Sequence, residues 1–200
     1  MGRGPGAHHA QRRAEIADAV LAIVADRGLA AVSLTEVAAQ AGISPGRVQH
    51  YFPAKRQLVE AAFERGNELS SARIRAKTGA DPQAAEPRLV LTTVLGELIP
   101  YDTATEAHMR VRQSFHAFAF AEEAIAARLR VLYADFHRQM ADLIARDQQA
   151  GHIPAALDPH ATALALVALA EGLAAYVLTG VTTASTARRQ VLAAVADLYR

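Results

Sequence analysis

The sequence predicts an all-α fold, with a small N-terminal helical domain followed by a longer helical bundle. Ala, Leu, Glu, Arg and Gln dominate, and alternating runs of Val, Ile, Thr and aromatics between two-residue glycine turns are nearly absent. Apolar residues recur instead at helical spacing. Pro100, Gly151 with Pro154, Pro159 and Gly180 punctuate those periodic stretches.

In chain order, a first helix presents Ile16, Val20, Ile23 and Val24 on one face and ends at Gly28, a residue suited to a left-handed C-terminal cap. A second helix starts at Ser33, whose hydroxyl can cap while Glu36 reaches back to complete a capping box, and Gly42 breaks it. Ser44 offers another N-cap with Pro45 at the first helical position, where a missing N–H costs nothing. This third helix runs only to Tyr51 or Phe52. Pro53 restarts the chain into a fourth helix from about Ala54, with Leu58, Ala62 and Phe63 at helical spacing, that fades into the Arg-rich stretch Arg73 to Lys77. Gly79 to Pro87 is linker-like and sets the domain boundary. Further helices are expected over 88–99, 104–120, 123–149, 159–179 and 184–199, although neither Gly nor Pro marks the join near Ala121. The expected organisation is a flexible tail over 1–9, a helix-turn-helix domain over 10–55, a connecting helix over 56–78 and a bundle domain over 79–200.

Composition narrows the chemistry. The chain has no cysteine, which excludes disulfides, thiolate metal sites and cysteine nucleophiles. There is no phosphate-binding glycine loop and no His-Glu-x-x-His, so enzymatic function, cofactors and metals are not expected. His8 and His9 read as bystanders in a glycine-rich tail rather than metal ligands. Met1 to His9 lacks the apolar core of a secretion signal. The most apolar run, Ala161 to Ala170, stops at Glu171 and Gly172, short of the ~20 apolar residues of a membrane span. A soluble, cytoplasmic protein is the expectation. Charge is uneven: residues 1–80 carry 11 Lys and Arg against 7 Asp and Glu, whereas residues 81–200 carry 10 against 13. A basic head on an acidic body suits a protein that meets phosphate at one end only.

The second and third helices are joined by too few residues to pack side by side and must cross steeply, the helix-turn-helix geometry. Ala38 is small where they approach, Gly42 permits the turn, and Val37, Ala41, Ile43 and Val48 fill the space between. Within the third helix, Val48 and Phe52 are four apart and point inward, which leaves Arg47, Gln49 and His50 outward. Pro45 and Gly46 allow backbone to approach a groove closely, and Gln49 can make a bidentate contact with adenine. Lys55 lies in the first turn of the fourth helix, whose free N–H groups attract anions.

The run from Leu34 to Lys55, with Ala38, Ala41-Gly42-Ile43 and then His50-Tyr51-Phe52-Pro53-Ala54-Lys55, resembles the signature of the TetR family of transcription regulators, in form from Arg12 to about Glu64. Gln49 stands where most members carry Tyr. The resemblance implies a double-stranded DNA reader acting on a palindromic operator, typically a repressor released by a small-molecule effector. It also implies that Pro45 and His50 lie near base edges and that Ser44, Arg47, Tyr51 and Lys55 hold phosphates, although the Tyr51 ring, which must pass the Phe52 cluster, is also read as partly core. Thr35 either continues its capping turn or touches DNA. Arg12 and Arg13 either flank the groove or mark a solvated helix start.

In the bundle domain, Met109, Arg112, Phe115, His116, Tyr133 and Phe136 combine apolar wall with polar groups, as a ligand pocket requires. Core packing explains the same spacing. Glu171 interrupts an otherwise uncharged stretch, so it must pair with a group such as Arg112 or His116, bind a polar part of a ligand, or face solvent at a dimer seam. The last two helices carry more apolar surface than one small bundle can cover. Leu164, Val167, Leu178, Leu192 and Val195 are the expected interface residues, and the resemblance implies an intersubunit four-helix bundle and a homodimer.

Overall fold

Spacing and punctuation resolve into nine α-helices and no strand among the residues that this computed structural model describes, 5–79 and 84–200. They are α1 (Pro5–Arg27), α2 (Leu34–Ala41), α3 (Pro45–Tyr51), α4 (Lys55–Thr78), α5 (Pro87–Glu97), α6 (Thr103–Ala119), α7 (Glu123–Gln149), α8 (Pro159–Leu178) and α9 (Ala184–Asp197). Residues 5–9, expected in a flexible tail, form the first turns of α1, while 1–4 lie outside the described residues. Within that segment the His9 ring approaches the Tyr51 ring to 4.9 Å between centroids, a contact the expectation of a free tail did not include. The helix expected to fade over Arg73 to Lys77 instead continues to Thr78.

Two compact units emerge, and they do not follow the linear division expected near residue 79. The first combines the chain up to Leu69 with Asp102–Ala117, and the second combines Ser70–Tyr101 with Phe118–Arg200. Side-chain chemistry explains why a segment of α6 joins the first unit. Phe115 stacks on Phe63 with centroids 4.5 Å apart, and buried His108 meets Asn67 Oδ1 at 3.1 Å through Nε2. Gly66 permits this approach, because a Cβ there would lie 2.1 Å from the His108 ring. The remaining core of the first unit is the expected face of α1 (Ile16, Val20, Ile23, Val24) against Val37, Val48, Phe52, Leu58 and Phe63, all of them buried.

In the second unit α7 packs on α8, α8 on α9, and α5 on both α7 and α9. Two buried carboxylates tie it together, and neither was singled out from sequence. Glu97 accepts hydrogen bonds from Arg73 Nε (2.7 Å), Lys77 Nζ (2.5 Å) and the Tyr101 hydroxyl (2.8 Å). Burial works to raise its pKa, but the bonds from Lys77, Arg73 and Tyr101 outweigh burial and hold the carboxyl below its ordinary range. Asp147 accepts from the Tyr199 hydroxyl at 2.5 Å, and the Arg88 guanidinium lies 4.6 Å from the Tyr199 ring centroid. Burial, then the bond to Asp147, pushes the Tyr199 phenol well above its usual value.

The join near Ala121 breaks without Gly or Pro: the Ala121 and Glu122 amides both donate to the Phe118 carbonyl, at 3.1 and 3.0 Å, and α7 restarts at Glu123. α8 extends past the expected end of its apolar run at Glu171 and Gly172. As a 20-residue helix it is long and apolar enough, by length and composition alone, to cross a membrane.

Candidate nucleic-acid interface and ligand cavity

The helix-turn-helix is built by local capping. Ser33 Oγ accepts from the Glu36 amide at 3.2 Å, starting α2. The second half of the expected capping box is absent, because the Glu36 carboxylate pairs with Arg27 Nη1 at 2.6 Å instead. Gly42 ends α2 with φ 65° and ψ 34°, a left-handed conformation in which a side chain would be strained. Its amide bonds Ala39 O at 3.3 Å and the Ile43 amide bonds Ala38 O at 3.0 Å, the paired closure that lets the chain turn within three residues. Gly28 differs from its expected left-handed cap. Its φ is 76° but its ψ is 170°, because the chain leaves α1 extended into the 3-10 turn Leu29–Ala31.

Ser44 Oγ then caps α3 by accepting from the Arg47 amide at 3.3 Å, with Pro45 in the first turn. At the other end, Arg13 Nη1 donates to the Tyr51 carbonyl at 3.0 Å, and its guanidinium sits 4.3 Å from the Phe52 ring centroid. This assigns Arg13 to neither of the two expected roles: it is a C-terminal clamp on α3. Arg12 pairs with Glu15 at 2.6 Å. Sequence reasoning had no means to find the clamp, which joins residues 38 apart in the chain.

The faces of α3 fall as its spacing predicts. Val48 and Phe52 are fully buried, whereas Ser44, Pro45, Gly46, Arg47, Gln49 and His50 are exposed, as are Thr35 on α2 and Lys55 at the start of α4. Tyr51 is half-buried, its ring lying against His9 and edge-on to His50 at 5.4 Å. No carboxylate among the described residues pairs with Arg47 or Lys55. The α4 start is ordered by Gln57, whose Oε1 accepts from the Ala54 amide at 3.2 Å. The result is one exposed surface with two unneutralised cations, an amide side chain and no apolar patch.

The expected ligand residues divide between the units. Met109, Arg112, Phe115 and His116 belong to the first and Tyr133, Phe136 and Glu171 to the second. Met109 and Phe115 are core residues, with 1% and 0% of their surface exposed, and Arg112 is buried with Nη1 3.4 Å from Asn67 Oδ1. Glu171 is half-buried and accepts the Tyr133 hydroxyl, a partner inside the expected set but not one foreseen for it. An open cavity of about 320 Å³ lies within the second unit, between the C-terminal part of α4 and helices α5 and α7. Buried Val90, Val94, Met140 and Leu143 form its floor, and exposed Ser71 and Arg75 line it from α4. Phe136 is the one expected ligand residue that lines it. Among the described residues no group of three or more metal-ligating side chains converges.

The expected interface residues are corrected in part. Val167 and Val195 are buried within their own chain, at 1% and 0% exposure, because they face the other helices of the second unit. Leu178 and Leu192 are half-buried, and Leu164 is 53% exposed. The open face of α8 runs instead through Ala161, Leu164, Ala165, Ala168, Leu169, Gly172 and Tyr176, which recur at intervals of three and four and are all exposed.

Comparisons with known proteins agree with this architecture. Residues 16–62 match the model of the tetR family of bacterial regulatory proteins, and residues 87–200 match the model of the C-terminal domain of BetI-type transcriptional repressors. The regulator BetI of Rhizobium meliloti is 33% identical over 127 residues, 64% of this chain and 53% of that protein. The chain thus spans about half the length of the curated relatives it matches. Among solved structures, a TetR-family regulator from Rhodococcus superposes with a TM-score of 0.76 at 29% identity, covering 96% of this chain and 100% of the other. A regulator from Saccharomonospora viridis in complex with choline gives 0.77 at 22% identity, covering 91% and 94%, a likeness of fold.

Proposed function

The chain belongs to the TetR family of bacterial transcription regulators, with a BetI-type C-terminal half, and on that premise we propose that it is a homodimeric repressor that a small-molecule effector releases from a palindromic operator. The observation that carries this reading is α3. It is short, capped at both ends, clamped by Arg13, and turns Pro45, Gly46, Arg47, Gln49 and His50 outward beside Lys55. Gln49 reads a base edge in the major groove with Pro45 and His50 beside it, and Arg47, Lys55, Ser44 and Tyr51 hold phosphates. Thr35, exposed in the first turn of α2, adds a flanking contact. The Ser44 hydroxyl already accepts from the Arg47 amide, and it retains its proton for a phosphate oxygen.

A second copy covers the open face of α8. Ala161, Ala165, Ala168 and Gly172 are small enough for two helices to approach closely, with Leu164, Leu169 and Tyr176 flanking them. A twofold pair of reading helices matches a palindromic site. The second unit takes the effector, in the cytoplasm where operator and metabolite meet. Family members are regulators rather than enzymes. The test is a gel-shift titration of the full chain on the DNA upstream of its own gene against scrambled DNA of equal length. Preferential binding of the upstream fragment is expected, and equal binding of both contradicts the reading.

A further inference from the structure

We infer that the cavity in the second unit takes an amphipathic carboxylate, its head on Arg75 and Ser71 and its apolar body over Val90, Val94, Met140 and Leu143; this rests on reading that unit as the effector domain. The Arg-rich stretch of α4 divides by face. Arg73 and Lys77, four residues apart, both bond Glu97. Arg75 lies between them in sequence, on a different face of the helix, and lines the cavity. It is exposed, and no carboxylate among the described residues pairs with it. Ser71 is one turn before Arg75 on the same face and adds a hydroxyl.

The other polar liner, Gln139, is already engaged, its Nε2 donating to Asp135 Oδ2 at 2.8 Å. The polar end of the cavity is therefore a guanidinium with a hydroxyl beside it, the pair that favours a carboxylate through charge-assisted hydrogen bonds. The floor is apolar, and its four aliphatic and thioether side chains are each at most 8% exposed. A cation finds no counterpart here. Among the described residues no Asp or Glu lines the cavity, and Phe136 is the one aromatic ring that does, too few for the cage that quaternary ammonium groups require. The volume of about 320 Å³ is at the small end for a ligand site and suits a compact ligand.

The experiment is calorimetric titration of the full chain with octanoate, 4-phenylbutyrate, 1-octanol and octyltrimethylammonium. At least one carboxylate is expected to bind no less than ~10-fold more tightly than the alcohol or the cation, the ratio expected for one charged hydrogen-bonded contact. Arg75→Gln, at an exposed position, should bring the carboxylate down to the level of the alcohol without changing the alcohol. Arg75→Glu should reverse the preference toward octyltrimethylammonium. Binding of neither carboxylate, carboxylate no tighter than alcohol, or an unchanged Arg75→Gln overturns the inference. The gel shift on upstream DNA, run with the same preparation, separates the two claims. Specific DNA binding with the wrong probe order defeats the carboxylate assignment alone, whereas loss of specific DNA binding defeats the repressor reading whatever the probes do.

Discussion

Arg13 holds the end of α3 from α1: its Nη1 donates to the Tyr51 carbonyl across 3.0 Å while its guanidinium covers the Phe52 ring. The exposed face of α3 is thus anchored by a residue of α1 whose guanidinium is engaged with the Tyr51 carbonyl and the Phe52 ring. Arg13→Gln should cost about 1–2 kcal/mol of stability through the lost cap and ring contact. It should also weaken operator binding without changing the slope of log K against log salt, because no phosphate contact is removed. Urea unfolding and anisotropy titrations at several salt concentrations check both, and a shallower slope would make Arg13 a phosphate ligand instead.

Lys55 should behave in the opposite way. It is exposed, unpaired among the described residues, and sits where the free amides of α4 begin. Lys55→Ala should leave stability unchanged, weaken binding to all DNA sequences alike and reduce the salt slope by about 0.9 for the one phosphate released.

Leu164 and Val167 separate the proposed seam from the core, since one is 53% exposed and the other 1%. Leu164→Glu should yield a folded monomer by sedimentation velocity. Val167→Glu should instead unfold the second unit, because it buries an unpaired carboxylate. An unaltered dimer for Leu164→Glu would put the interface on another face.

Glu97 sets an acid limit on stability. Its folded pKa is depressed, so its three hydrogen bonds stabilise the fold fully above its unfolded value near 4.5, and that contribution is lost as pH falls through the folded value. Urea midpoints taken from pH 6 down to pH 3 should fall more steeply for the native sequence than for Glu97→Gln, which keeps the shape but removes the titration.

Much of this was legible in the sequence because it is local. The caps at Ser33 and Ser44, the turn at Gly42 and the inward pair Val48 and Phe52 depend on neighbours within one or two turns, and each occupies its expected place. What failed is long-range. Composition marks Met109 and Phe115 as apolar at helical spacing but cannot tell a cavity wall from a core, and Phe63, 52 positions before Phe115, decides it. Val167 was assigned to the seam because apolar residues surround it on every side of α8, where Glu171 is the one Asp, Glu, Lys or Arg and periodicity carries little facing signal; Val195, on the more polar α9, turns inward to the core of its own chain. The Arg-rich stretch hid its meaning until Glu97 claimed two of its three cations.

If the exposed face of α3 reads DNA sequence, as proposed, Gln49 is the side chain that discriminates between bases. The measurement is the affinity of the native chain and of Gln49→Ala for a panel of operators altered at one base pair at a time. A loss of discrimination of roughly 1–3 kcal/mol at one base pair in each half-site, with the salt slope unchanged, is the predicted result. An equal loss at every position, or no loss at any, would contradict it.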